Sequence, residues 1–401
     1  MKKILAFLFF ALILPQSRAS QVESNHSYFR NSNFLNDYEV TIRGFGDVKL
    51  FSLDEEAKTN GLNTDLAINV DIQGKIEEHF RYGIQLTERL NNNFKKNRSF
   101  FGYVDNIFGK FEFGNTLSAT EISRVGGDSL GIGNGGIFGE FSRIIVNSLS
   151  EGQYFILREG TLSSQMFGYY NSKMDMDYFD HFNYIGKINY YSPDFFGLRV
   201  LASFAPNVKL EREMFERGGV NDVINLGDVA SVGINYINTF DSLGLALSLA
   251  RESNTNVVSD RNAQGKKIER GIDISSTVAG ANVNFFGFTF SGSYGILERK
   301  NVKNSPIISD DRASYMDYGV GYEAGNVLFG YNFFKSEMEK KNNDKYADQN
   351  AYTGNSFSLE LKTDKNFSVY VELIKFTIED LEKKEKKDGK MAMLGALINF
   401  Y

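Results

Sequence analysis

Few stretches of this 401-residue chain place reactive residues at a spacing that could do chemistry. Gly131-Ile-Gly-Asn-Gly-Gly136 fits the G-x-G-x-x-G pattern that cradles a pyrophosphate. That use needs a strand before the glycines and a helix after them. The surroundings are a polar, glycine-rich stretch, so the glycines are read as backbone freedom in a loop. The three histidines, His26, His79 and His181, stand far apart. They form no i, i+4 pair and join no carboxylate constellation, so no metal site is expected. Only His79 is well placed in a strand, and a hydrolase would need a serine beside it on the same face. There is no cysteine, which excludes disulfides and thiolate ligands. No catalytic residue, metal or cofactor is expected.

The charged residues are more informative. Arg43 falls in a row with Thr41, Asp47 and Lys49, alternating with Val40, Ile42, Val48 and Leu50. Arg81 and Arg89 share a row with Gln85, alternating with Phe80, Tyr82, Ile84 and Leu86. Alternation of this kind gives a strand one polar and one apolar face. The pattern recurs from Tyr38 to Tyr401. It fades over Ser99–Val104, returns at Phe111 and Phe113, and is clear in Phe196–Phe204, Leu243–Leu249, Phe286–Tyr294, Val327–Phe333, Phe367–Leu373 and Leu394–Phe400. The number of such segments is about 16.

The connections alternate short and long. Short ones fall at 74–78, 106–108, 192–194, 240–242, near 285, at 325–326 and at 364–366. Long polar ones fall at 52–64, 91–98, 115–180, 206–227, 252–270, 298–312, 336–352 and 379–389. Outer-membrane barrels have short periplasmic turns and longer outer loops. A secreted β-sandwich also alternates. It would not keep this rhythm, nor hold Arg43, Arg81 and Arg89 in polar rows. The expected fold is therefore all-β: a transmembrane antiparallel β-barrel of about 16 strands over residues 38–401.

Composition agrees. The aromatic residues are 36 Phe and 21 Tyr with no Trp, as girdles at two interfaces would use. Thirty-eight glycines against four prolines suit long strands and tight turns. Lys2 and Lys3 before the apolar run Ile4–Leu14 read as a secretory signal, with cleavage expected after Ala19. Residues 20–37 are expected to form a loose lead. A net charge of −6 disfavours nucleic acid as a partner.

Two stretches resemble a known family. Arg98–Gly114, with Gly102, the tight turn closing on Phe108-Gly109 and the strand ending at Gly114, resembles the fourth and fifth strands of Gram-negative general diffusion porins. Asn189-Tyr-Tyr-Ser-Pro-Asp-Phe-Phe-Gly197 resembles the turn after their sixth strand. The end of the chain is similar too: Gly395, Ile398 and Phe400 fit the family's terminal assembly signal, with Tyr401 as an overhang. The resemblance implies a bacterial outer-membrane homotrimer, placed by barrel-assembly machinery, that passes small hydrophilic solutes. It also implies a third loop, within 115–180, folded into the barrel with its carboxylates facing arginines on the opposite wall. In this sequence those carboxylates are Glu121, Asp128, Glu140 and Glu151, and the wall cations are Arg43, Arg81, Arg89 and Arg98. Arg124 and Arg143 lie in the same loop and could pair with the acids instead. The loop is longer than the family's, with room for a further hairpin around Tyr154–Tyr170.

The run Lys383–Lys387 reads as a solvated outer loop; contact with outer-membrane lipid and lipopolysaccharide phosphates is its other use. A barrel closed by its loops and serving as a surface adhesin or structural protein is the alternative to a channel.

Overall fold

A computed structural model describes residues 38–54, 59–77, 79–91, 94–130, 132, 186–211, 223–261, 267–301, 311–342, 345–381 and 384–400. The expected signal and lead, His26, His181, Glu140, Glu151, Arg143, the hairpin around Tyr154–Tyr170, Lys383 and Tyr401 lie outside the described residues.

Sixteen antiparallel strands close into one barrel. They are β1 (Tyr38–Asp54), β2 (Thr59–Glu77), β3 (Phe80–Asn91), β4 (Phe94–Asn106), β5 (Gly109–Asn115), β6 (Gly186–Tyr191), β7 (Leu198–Glu211) and β8 (Val223–Phe240). They continue as β9 (Leu243–Arg261), β10 (Lys267–Phe285), β11 (Phe288–Asn301), β12 (Asp311–Ala324), β13 (Val327–Asn342), β14 (Lys345–Lys362), β15 (Phe367–Asp380) and β16 (Glu385–Phe400). Each strand pairs with its sequence neighbours, and β16 closes on β1 from Gly44↔Phe400 to Asp54↔Lys390. Closure gives every strand a hydrogen-bonded neighbour on both sides, as a sheet inside a bilayer requires.

The period-two rows explain both faces. Val48, Leu50, Ile84, Leu86, Leu247, Phe290, Val371 and Leu394 are exposed on the outside. Alternate residues point inward and are largely polar: Asp47, Asn63, Ser203, Ser248, Ser291 and Ser356 are buried. Part of the inner wall is apolar. Tyr315, Phe334, Tyr352 and Phe376 form a row across β12–β15, with ring centroids 6.0, 5.9 and 6.4 Å apart in turn. Each such pair contributes about 0.5–1.5 kcal/mol beyond area burial.

Two differences from the sequence expectation have simple causes. The strand where the pattern fades is β4, whose inward row is itself aromatic, Phe101 and Tyr103, while its outward row holds Gly102. Both faces therefore look alike in hydropathy. The long hairpins also keep their strand pairing well past the expected ends, as in Lys267↔Arg261. The alternation in hydropathy stops there while the backbone ladder continues.

Candidate pore constriction

After β5 the chain turns into the barrel. Ser118 caps a short helix, α1 (Ala119–Ile122), its hydroxyl accepting from Glu121 N at 3.3 Å. A 3-10 turn follows at Gly127–Leu130. The segment lies against the inner wall from β6 to β13. Asn189 Nδ2 donates to Leu117 O at 2.7 Å. Ala119 N donates to Ser203 Oγ on β7 at 2.7 Å, and Val125 N to Ser248 Oγ on β9 at 2.9 Å. Gly127 N donates to Asp317 Oδ1 on β12 at 2.8 Å. The same carboxylate accepts from Ser293 N on β11 at 2.8 Å and, by a short bond, from Ser293 Oγ.

A segment outside the sheet must still find partners for its backbone amides, and here the wall supplies hydroxyls and one carboxylate. The wall also supplies room. A Cβ at Gly280 would collide with the carbonyl of Val125, and one at Gly319 with Leu130. Cβ atoms at Gly233 and Gly330 would stand 3.0 Å from Thr120 and 3.2 Å from Ile132. The small inward residues of β7–β13 are thus the imprint of the loop, a signal present in the sequence.

The opposite wall, β1–β3, holds the three candidate arginines Arg43, Arg81 and Arg89. Arg43 is in register with Asn69, and Asn69 with Thr87, to which its amide donates at 2.8 Å. No ion pair or hydrogen bond involves the Arg43 side chain among the described residues. Arg81 pairs with Asp105 on β4 at 2.6 Å. Arg89 grips Asp65 on β2 through Nε at 2.9 Å and NH2 at 2.5 Å, its guanidinium 5.8 Å from the Phe45 ring. Asp47 pairs with Lys49 at 3.1 Å and accepts from Tyr370 OH on β15. No sequence pattern singles out Asp65 and Asp105; they emerge as partners only once strand register is fixed.

The other candidates fall elsewhere. Arg98 stands opposite Glu88 in the β3–β4 register. Glu121 bonds to Arg124 at 3.2 Å within the loop. Asp128 sits in the 3-10 turn. On the closing strand, Gly395 lies beneath the Tyr370 ring and the Phe400 ring covers Gly44. Ile398 pairs with Gly46 and Phe367. Among the described residues no group of His, Asp and Glu could hold a metal ion.

A family model described as Gram-negative porin matches residues 11–373. The chain belongs to the Gram-negative porin family. Solved structures share the fold of this porin at low identity. An anion-selective porin from Comamonas acidovorans superposes with a TM-score of 0.59 at 15% identity, over 91% of this chain and 100% of that one. Salmonella typhi OmpF in complex with daunomycin gives 0.57 at 12%, over 92% and 99%. The trimer form of OmpT, an outer membrane protein of Vibrio cholerae, gives 0.56 at 13%, over 90% and 99%. No curated protein matches the sequence. Family and fold point to an outer-membrane porin rather than an enzyme.

Proposed function

We propose that this porin forms a water-filled channel for passive diffusion of small hydrophilic solutes and ions. The observation that carries it is the pinned loop. It narrows the interior from one side and leaves β1–β3, with Arg43, Arg81 and Arg89, as the wall a solute would meet. An ion in the narrows feels fixed charges at close quarters, where salt screens them least. Arg81 and Arg89 are offset by acids on neighbouring strands, so Arg43 is assigned the largest influence on selectivity. Glu121, Asp128 and Glu140 would modulate the loop side, Arg98 the outer rim.

The working form is a homotrimer, as with the trimeric Vibrio cholerae neighbour. It would be exported by cleavage after Ala19, with residues 20–37 left as a lead. Barrel-assembly machinery would read Gly395, Ile398 and Phe400, and outer-membrane lipid and lipopolysaccharide would surround the product. A closed structural barrel is the second reading, favoured by the buried aromatic inner patch of Tyr315, Phe334, Tyr352 and Phe376. Planar-bilayer recording separates the two: stepwise openings support the channel, and silence from folded, inserted protein contradicts it.

A further inference from the structure

Three short turns repeat one motif: Ile107-Phe108-Gly109, Phe195-Phe196-Gly197 and Phe285-Phe286-Gly287. They join β4 to β5, β6 to β7 and β10 to β11 at one end of the barrel. The phenylalanines before glycine are among the most exposed large side chains described: Phe108 71%, Phe196 93% and Phe286 72%. Two of them also sit where phenylalanine is disfavoured. Phe196 and Phe286 have φ of 56° and 45°, and the glycines after them 91° and 81°. Two-residue hairpin turns of this kind need positive φ at both central residues and favour Asn, Asp or Gly first. The same chain follows that preference elsewhere. The β8–β9 turn uses Asp241 at φ 52°, and the β12–β13 turn uses Gly325 at 63°. Backbone geometry therefore does not demand phenylalanine at 196 or 286. A local rule broken twice, in the same way and on exposed tips, marks a functional surface.

The positions of these turns suggest what they meet. The β4–β5, β6–β7 and β10–β11 tips lie within a run of four successive hairpins, the fourth being the polar Asp241-Ser242 tip of β8–β9, which Phe240 flanks. The next two, Gly325-Asn326 and Thr363–Asn366, are polar. The apolar tips continue the outward aromatic band. Phe286 lies 4.3 Å from Phe285, and Phe288 lies 4.5 Å from Tyr322. Tyr190 donates to Phe108 O at 2.9 Å and packs 4.8 Å from Phe111. Rings on separate convex turns, continuous with a lipid-facing band, suit a soft interface better than a protein pocket.

We propose that the β4–β11 arc of short turns inserts Phe108, Phe196 and Phe286 into the headgroup–acyl boundary of the adjacent leaflet, while the β12–β15 turns stay in water. The barrel then sits deeper on one side. This rests on the porin reading, which places the strands in a membrane.

The chain has no tryptophan, so single reporters are clean. Phe108→Trp, Phe196→Trp and Phe286→Trp would be reconstituted in phosphatidylcholine vesicles with acyl chains brominated near the carbonyl or near the chain centre. Asn366→Trp is the water control and Val371→Trp the mid-band control. The expected result is several-fold stronger quenching at the three tips than at Asn366→Trp, greatest with the shallow bromines. Tips quenched no more than Asn366→Trp would overturn the proposal and point to a soluble partner instead. If Val371→Trp escapes the deep bromines, the protein has not inserted and the porin reading fails. The triple variant F108N/F196N/F286N gives a second readout. It should insert into vesicles several-fold more slowly; an unchanged rate would contradict the proposal.

Discussion

At the scale of the residue, Arg43 and Asp317 differ in what they control. Among the described residues Arg43 has no side-chain hydrogen bond or ion pair, whereas Arg81 and Arg89 are each held by an aspartate. An exposed pair such as Arg81–Asp105 has little net field to lose. Arg43→Ala is therefore expected to move the reversal potential in a salt gradient toward cations, and by more than Arg81→Ala; equal shifts would remove the distinction. Asp317 is an anchor. Truncation to Ala strips acceptors from Gly127 N and from Ser293, a loss of about 1–3 kcal/mol for buried donors left unpaired. The expected outcome is a lower unfolding temperature in detergent and noisier single-channel currents. The arginine rows were legible because alternation alone assigns a face. Their partners were not, since Asp105 faces Arg81 only through the β3–β4 register. The Glu121–Arg124 pair, by contrast, is local, three residues apart, and the sequence already offers it beside the lumen-facing alternative.

At the scale of the element, the loop and the wall behind it define one another. The inward rows of β7–β13 are rich in Ser, Gly and Ala because Ser118–Ile132 must lie on them. Gly280→Leu should drive the segment off β10 and widen the passage. The check is single-channel conductance, expected to rise above the unsubstituted protein; an unchanged value would mean the loop does not limit flow. Strand existence was readable from period two over most of the barrel. β4 was the weak point, since Phe101 and Tyr103 line its inner face and erase the contrast between its sides. Strand ends are hidden for a related reason: β9 and β10 stay paired beyond the apolar band, where hydropathy carries no information.

At the scale of the whole molecule, the closing strand joins the two ends of the sheet. Phe400 stands opposite Gly44, and its ring covers that glycine on the outer face. Phe400→Ala removes that cover. The expected cost is up to about 3 kcal/mol, the lower bound for truncating a buried Phe, because lipid replaces part of the lost contact. Unfolding in urea, with slower barrel closure in refolding, would register it. The loop against β6–β13 and the charged rows of β1–β3 face each other across the closed strand order, so the barrel interior is asymmetric. The most direct test is single-channel recording of the purified protein in a planar bilayer. Discrete, stable openings are predicted, whereas folded and inserted protein that passes no current would contradict the channel.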